Sequence, residues 1–325
     1  AEFALFPNPQ CKRMFTQSLL SITNRWILVL AAVVLIAMPH KDTMSKAQYV
    51  PASLQSKPIC SLVPPGQCQL NDQFQPLELV ERVKVSPTSS VLRFALPDRT
   101  QPLNLSTCAC ILAHAKINGE DVVRPYTPIS TNALKGCFDL LVKDYGPEAK
   151  MSHELCTRIR VGDQVSFKHI DFNVKIQAPF QPKHICMLVG GTGITPMIQA
   201  LHAILGDATR TDTRVVMLYG SRTSDDILGR EMLDHWTKDY PNQLVVEHVL
   251  SHEPDHSEWT GLRGYIDAAK IQKYFPAATL GEDVMVFVCG PPPMYEALCG
   301  PREEKDVIKG ILGELNYQPS QVYKF

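Results

Sequence analysis

Arg124-Pro125-Tyr126-Thr127-Pro128-Ile129-Ser130 sits between two runs of alternating apolar residues, and its reading decides how the first half of the chain folds. Proline fixes its own φ and pushes the residue before it out of the helical region. Two prolines flanking Tyr-Thr therefore make the segment stiff and extended. Such a segment presents Arg124, Tyr126 and Thr127 to one ligand. A guanidinium suits a pair of phosphate oxygens, a tyrosine ring lies against a flat heterocycle, and a threonine hydroxyl bonds a heteroatom edge. A proline-bounded edge strand with a surface arginine is the alternative that the chemistry alone leaves open.

Outward from this segment the chain reads as short strands separated by turns. Strands are expected over 77–85, 91–95, 108–115, 122–127, 137–143 and 164–168, with a short helix over 152–158. Ser86-Pro87, Pro97-Asp98, Asn118-Gly119 and Lys135-Gly136 punctuate them. Asn-Gly between apolar runs is a strong hairpin signal. Several short strands at close spacing predict an antiparallel β-barrel.

From residue 183 the pattern changes. Strands expected over 184–189, 214–219, 244–250 and 284–288 alternate with helices over 196–205, 225–240, 267–274, 292–299 and 303–315. This alternation predicts a parallel α/β sheet covered on both faces. The first of these strands runs into Gly190-Gly191-Thr192-Gly193-Ile194-Thr195-Pro196-Met197. Proline favours the first helical position and threonine is a good N-cap, so the helix is expected to start at Pro196 with Thr195 as its cap. A glycine-rich turn opening a helix suits a phosphate, although a tight turn without a ligand reads the same way. A later strand ends at Cys289-Gly290-Pro291-Pro292-Pro293-Met294. In parallel sheets ligands gather at the carboxyl ends of the strands, where both strings fall.

Together these three strings, in this order, resemble the NADH–cytochrome b5 reductase branch of the ferredoxin–NADP reductase superfamily over about residues 72–325. The resemblance implies an FAD-binding barrel over 72–178 and an NADH-binding α/β domain over 179–325. It places Arg124 at the FAD pyrophosphate, Tyr126 along the ribityl and ring system, and Thr127 near the flavin N5 region. The family's Gly-Gly-Lys-Met-Ser turn corresponds to Glu148-Ala149-Lys150-Met151-Ser152, in which both glycines are replaced. The implied cofactor contacts are Arg124, Pro125, Tyr126, Thr127, Ser130, Lys143, Lys150, Met151 and Ser152 in the first domain. In the second they are Gly190, Gly191, Thr192, Gly193, Thr195, Pro196, Asp226, Cys289, Gly290, Pro291 and Met294. Thr127, Thr195 and Cys289 are implied at the reacting centre, with Cys289 beside the nicotinamide and Thr195 between it and the flavin. Phe325 closes the chain with the family's terminal aromatic.

The implied reaction passes a hydride from NADH to flavin and then single electrons to cytochrome b5. A nitrate-reductase-like flavin module and an NADPH-preferring transferase share these motifs. Asp226 corresponds to the acidic residue that repels a 2′-phosphate in the family. Ser221-Arg222 could instead welcome that phosphate, and Asp225-Asp226 also suit the start of the helix expected over 225–240.

Composition is compatible with this reading. The 325 residues are 45% hydrophobic and 20% charged, which excludes a chain disordered throughout. The formal net charge of −1 offers no basic field for nucleic acid. Residues 71–178 hold 13 basic and 12 acidic side chains, whereas 179–325 hold 13 and 19. An acidic acceptor is therefore expected on the barrel side, with Lys143, Lys150 and Lys168 as its partners. Ten cysteines without metal spacing predict free thiols in a reducing compartment and no metal site.

Residues 19–38 carry a single charge, Arg25, and an uninterrupted apolar run over Trp26–Met38; counted from Leu19 the stretch just reaches a bilayer-spanning length if Arg25 snorkels. Residues 1–45 are thus expected to anchor the chain to the mitochondrial outer membrane or endoplasmic reticulum, with a proline-rich linker over 46–71. A monomer is expected.

Overall fold

The computed structural model describes residues 52–54, 57–170 and 176–325. The apolar stretch expected to anchor the chain lies outside them. Among the described residues no helix is long and apolar enough to cross a membrane.

Six antiparallel strands form the first layer: β1 Gln75–Ser86, β2 Ser89–Ala95, β3 Ile111–Ile117, β4 Glu120–Tyr126, β5 Cys137–Lys143 and β6 Gln164–His169. Their order is β4-β3-β6-β1-β2-β5. The first half of β1 pairs with β6 and the second half with β2, the change falling at a register shift between Leu79 and Glu81. A bulge there bends the strand and turns the sheet on itself. Leu77, Phe94, Ile111, Val122, Phe138 and Phe167, one from each strand, consequently share one buried core. Phe94, Phe138 and Phe167 meet ring to ring at 4.7–5.8 Å. The sheet stays open between its edge strands, β4 and β5. The β3–β4 hairpin turns on Asn118 (φ 52°) and Gly119 (φ 86°), the pair of positive φ values a type I′ turn needs. Beside β5 the chain makes a helical turn, α1 Lys150–His153, which continues as a wider turn over Glu154–Arg158.

The second layer is a parallel sheet of β7 His184–Gly190, β8 Arg214–Ser221, β9 Leu244–Leu250, β10 Leu262–Arg263, β11 Val284–Cys289 and β12 Val322–Lys324. Its order is β10-β9-β8-β7-β11-β12. The chain runs from β7 out to β10, then returns to place β11 on the other side of β7. The carboxyl ends of β7 and β11 are thus a topological switch point.

Helices α2 Ile194–Leu205, α3 Arg230–Asp239, α4 Ala268–Tyr274, α5 Pro292–Leu298 and α6 Gly310–Glu314 complete the fold. Every residue of α2 is buried. Beyond the sheet, it packs against barrel loops and against the segment preceding β1. That segment runs so close that a Cβ on Gly206 would lie 2.3 Å from the Cys60 nitrogen.

Four expected elements differ. The strand expected over 108–115 begins only at Ile111, because Cys108 takes φ 65° and cannot continue it. The helix expected from Pro196 begins at Ile194, with Gly193 as its N-cap and a 3-10 turn over Gly191–Gly193 before it. Thr195 is inside the helix and does not cap it. The helix expected over 225–240 starts only at Arg230, because Gly229 takes φ 71°. Asp225 and Asp226 lie instead in a separate 3-10 turn, so they are not the helix's first turn. The helix expected over 303–315 shortens to Gly310–Glu314. The carbonyls of Pro301, Glu304 and Val307 turn instead onto the buried Lys324 ammonium, at 2.9, 2.8 and 3.1 Å.

Candidate functional site

The open edge of the barrel faces the carboxyl ends of the parallel strands. Between them is a cavity of about 930 Å³. Arg124, Pro125, Tyr126 and Thr127 line it from the end of β4, Lys143 from the end of β5, and Met151 and Ser152 from α1. The opposite wall is Gly190–Gly193, Thr195 and Pro196 after β7, Ser221, Arg222 and Asp226 after β8, and Cys289, Gly290, Pro291 and Met294 after β11. All three sequence strings thus converge on one cleft.

Glycine is required where the β7 and β11 loops meet. A Cβ on Gly193 would lie 2.1 Å from the Cys289 carbonyl oxygen, and one on Gly190 would lie 2.7 Å from the Met294 sulfur. Such close backbone approach leaves the N–H groups of a helix start open toward an anion. The Tyr219 hydroxyl braces this turn by donating to the Gly191 carbonyl at 3.0 Å.

Across the cleft, Arg124 is exposed and donates to the carbonyl of its own neighbour Val123 at 2.8 Å. Burial pushes the Tyr126 hydroxyl above its ordinary value, so it stays protonated at neutral pH. Burial likewise pushes the Cys289 thiol up to about 11, against the opposing effect of the nearby Tyr295 hydroxyl. Cys289 is therefore a thiol and not a thiolate nucleophile. An extended cleft with a guanidinium, a buried aromatic hydroxyl and a glycine-rich helix start fits two stacked nucleotide cofactors better than a hydrolytic site. Its volume is near the upper end of small-molecule pockets.

Two implied contacts lie outside the lining. Ser130 faces back into the barrel, its hydroxyl accepting the Asp139 N–H at 3.0 Å. Lys150 is ion-paired with Glu120. Lys143, expected on a docking rim, is only 16% exposed and pairs with Asp226 at 2.9 Å. This pair links barrel to sheet across the cleft. Burial pushes the Asp226 carboxyl up, but Lys143 and Thr223 outweigh that and hold it below the usual carboxylate value. Lys168 stands over the Phe74 ring at 4.8 Å.

The cleft also contains residues the sequence did not single out. Tyr145 reaches from the barrel to share a hydrogen bond with the Thr192 hydroxyl at 3.0 Å. Tyr265, 72% exposed, stands at the mouth beside His252, their rings 6.4 Å apart. An exposed tyrosine one residue after a turn glycine is a sequence signal that could have found Tyr265. Phe325, which the resemblance did imply, also lines the cleft, its main-chain oxygen accepting from the Tyr295 hydroxyl at 2.8 Å. Among the described residues no cluster of His, Cys, Asp and Glu could hold a metal.

Comparison with known proteins agrees with this architecture. Residues 76–171 match the oxidoreductase FAD-binding domain family and residues 187–300 the oxidoreductase NAD-binding domain family. NADH-cytochrome b5 reductase 2 of Neosartorya fischeri is 36% identical over 254 residues, covering 77% of this chain and 76% of the relative. Human NADH-cytochrome b5 reductase 1 is 32% identical over 271 residues, covering 77% and 85%. Among solved structures, the cytochrome b5 reductase domain of Ulva prolifera nitrate reductase superposes with a TM-score of 0.65 at 27% identity, over 82% of this chain and all of that one. With both sheets, the shared cleft and these relatives in agreement, the chain belongs to the NADH–cytochrome b5 reductase family, FAD- and NADH-dependent oxidoreductases.

Proposed function

We propose that the chain oxidises NADH at the cleft and passes the electrons one at a time to cytochrome b5. The observation that carries this is the convergence of the β4, β7 and β11 motifs on a single cavity. Bound FAD would supply the chemistry that turns a two-electron donor into a one-electron source. The barrel, over residues 72–178, supplies Arg124 to grip the pyrophosphate, with Met151 and Ser152 beside it. Tyr126, with a neutral hydroxyl, and Thr127 would hold the flavin from the barrel wall. The α/β domain, over residues 179–325, supplies the glycine-rich start of α2 for the NADH phosphates. Thr195 and Cys289 would hold the nicotinamide from the opposite wall. These residues orient two reactants and exclude water; hydride transfer needs near-attack geometry rather than an acid–base triad.

Cytochrome b5 as acceptor is supported by the relatives. Its docking side is supported by the charge contrast between the domains, with Lys168 retained on the barrel, Lys150 paired with Glu120 and Lys143 committed to Asp226. A membrane tether is supported by the apolar 19–38 stretch. The test is NADH-driven reduction of purified cytochrome b5 at rising ionic strength. Reduction is expected, with a rate that falls as salt screens the encounter. Steady NADH oxidation with ferricyanide but none with cytochrome b5 would reject the acceptor, and a rate indifferent to salt would reject the charged docking side.

A further inference from the structure

Gln199 is a polar residue in a helix buried on all sides, only 7% exposed. It lies four residues beyond Thr195, on the same face of α2. Its amide is committed to the barrel. Oε1 accepts the Cys108 N–H at 2.6 Å. Nε2 donates to the Pro128 carbonyl at 2.6 Å and to the Ser130 carbonyl at 3.3 Å. Pro128 directly follows Thr127. Cys108 adds a bond in the other direction, its thiol donating to the Pro196 carbonyl at 3.1 Å. Cys108 also holds φ 65°, a left-handed conformation uncommon for a residue with a side chain. Four bonds therefore join the turn at Cys108 and the segment after Thr127 to the first two turns of α2.

Packing alone does not call for this arrangement. A well-fitting apolar side chain fills buried space without the desolvation cost of an amide. What the amide adds is register. It fixes the height of the Thr127 strand end against the helix turn that carries Thr195. We propose that Gln199 is the positioning residue that sets the distance and alignment between the flavin-facing and nicotinamide-facing walls of the cleft. The inference rests on the reading of Thr127 and Thr195 given above. Reacting atoms must come within roughly 3–3.5 Å, and a displacement of about 1 Å costs on the order of a hundredfold in rate.

The test uses the FAD-loaded protein in anaerobic stopped flow, following flavin reduction at saturating NADH. The variants are Gln199→Met, which matches the length without hydrogen bonds, and Gln199→Glu, which keeps the acceptor for Cys108 and, protonated in its buried site, donates one hydrogen bond where the amide donates two. In Gln199→Met the reduction rate is expected to fall about tenfold to a hundredfold. Flavin occupancy and the NADH Kd should stay within about twofold. Gln199→Glu should fall between the two, and it carries the test alone if Gln199→Met holds no flavin. A reduction rate in a flavin-loaded variant within about twofold of the unsubstituted protein overturns the proposal. So does a rate loss matched by an equal loss of flavin or NADH affinity, which marks a role in binding or folding only. Failure of the unsubstituted protein to bleach with NADH would reject the underlying functional reading instead.

Discussion

At the scale of single residues, His202 couples stability to pH. Its ring is 3% exposed, its Nδ1 accepts the Ile59 N–H at 3.0 Å, and it meets Trp236 at 4.9 Å. Burial pushes its pKa down from 6.5 to about 4. The unfolded chain therefore binds a proton at this site between those values while the folded chain does not. Its contribution is fully present above the unfolded value and is lost as pH falls toward 4, an effect on the order of 2–3 kcal/mol. A proton on Nδ1 would also face the Ile59 donor and loosen the segment that crosses α2. The expected outcome is a thermal midpoint that falls from pH 7 to pH 4.5, and falls less in His202→Gln. His248, also held at about 4 by burial, acts in the same direction, so part of the fall should persist. An identical fall in His202→Gln would show that this residue carries none of it.

At the scale of elements, the barrel is clamped by one charged side chain. Arg93 on β2 donates two hydrogen bonds to the Asp139 carboxylate on β5, at 2.7 and 2.9 Å, and a third to Glu81 on β1 at 2.8 Å. Arg93 is the register partner of both residues, so the clamp follows from strand pairing. The Asp139 side chain is fully buried. Arg93→Met strands that carboxylate and should cost about 3–5 kcal/mol in urea unfolding. Arg93→Met with Asp139→Leu should recover most of it, and a cost below about 1 kcal/mol for the single change would contradict the clamp. The same elements mark how far sequence reading reaches. Strands β5 and β9 match their expected limits at both ends, because short, largely apolar runs with turn residues on either side bound them. The helices over 225–240 and 303–315 do not. Gly229 breaks the first through a left-handed φ, and Lys324 draws off the carbonyls of the second from up to 23 residues away. In the site, the string motifs were legible because each is local chemistry on a turn. Gln199 and Tyr145 were not, because their meaning depends on a partner in the other layer.

At the scale of the whole molecule, the cleft joins two layers that the chain builds separately, and under the proposed function nucleotide choice falls to Asp226. Asp226 faces the cavity after β8 and is held ionised by Lys143. A fixed negative charge at that strand end disfavours a 2′-phosphate. NADH should therefore be preferred, and Asp226→Thr should raise relative kcat/KM for NADPH about tenfold, the equivalent of roughly 1.4 kcal/mol. Arg222, exposed beside it in the lining, would then be free to meet the phosphate. Preference for NADPH in the unsubstituted protein, or no relative gain in the variant, would assign the choice elsewhere. Beneath the nucleotide preference and the Gln199 alignment lies the claim that one cleft holds flavin and nicotinamide together. Its most direct measurement is the visible spectrum of the purified protein, titrated anaerobically with NADH. A bound flavin spectrum that bleaches with about one equivalent of NADH is the predicted result, one hydride carrying the two electrons that reduce one flavin. A protein that binds no flavin when supplied with FAD, or a bound flavin that NADH leaves oxidised, would contradict it.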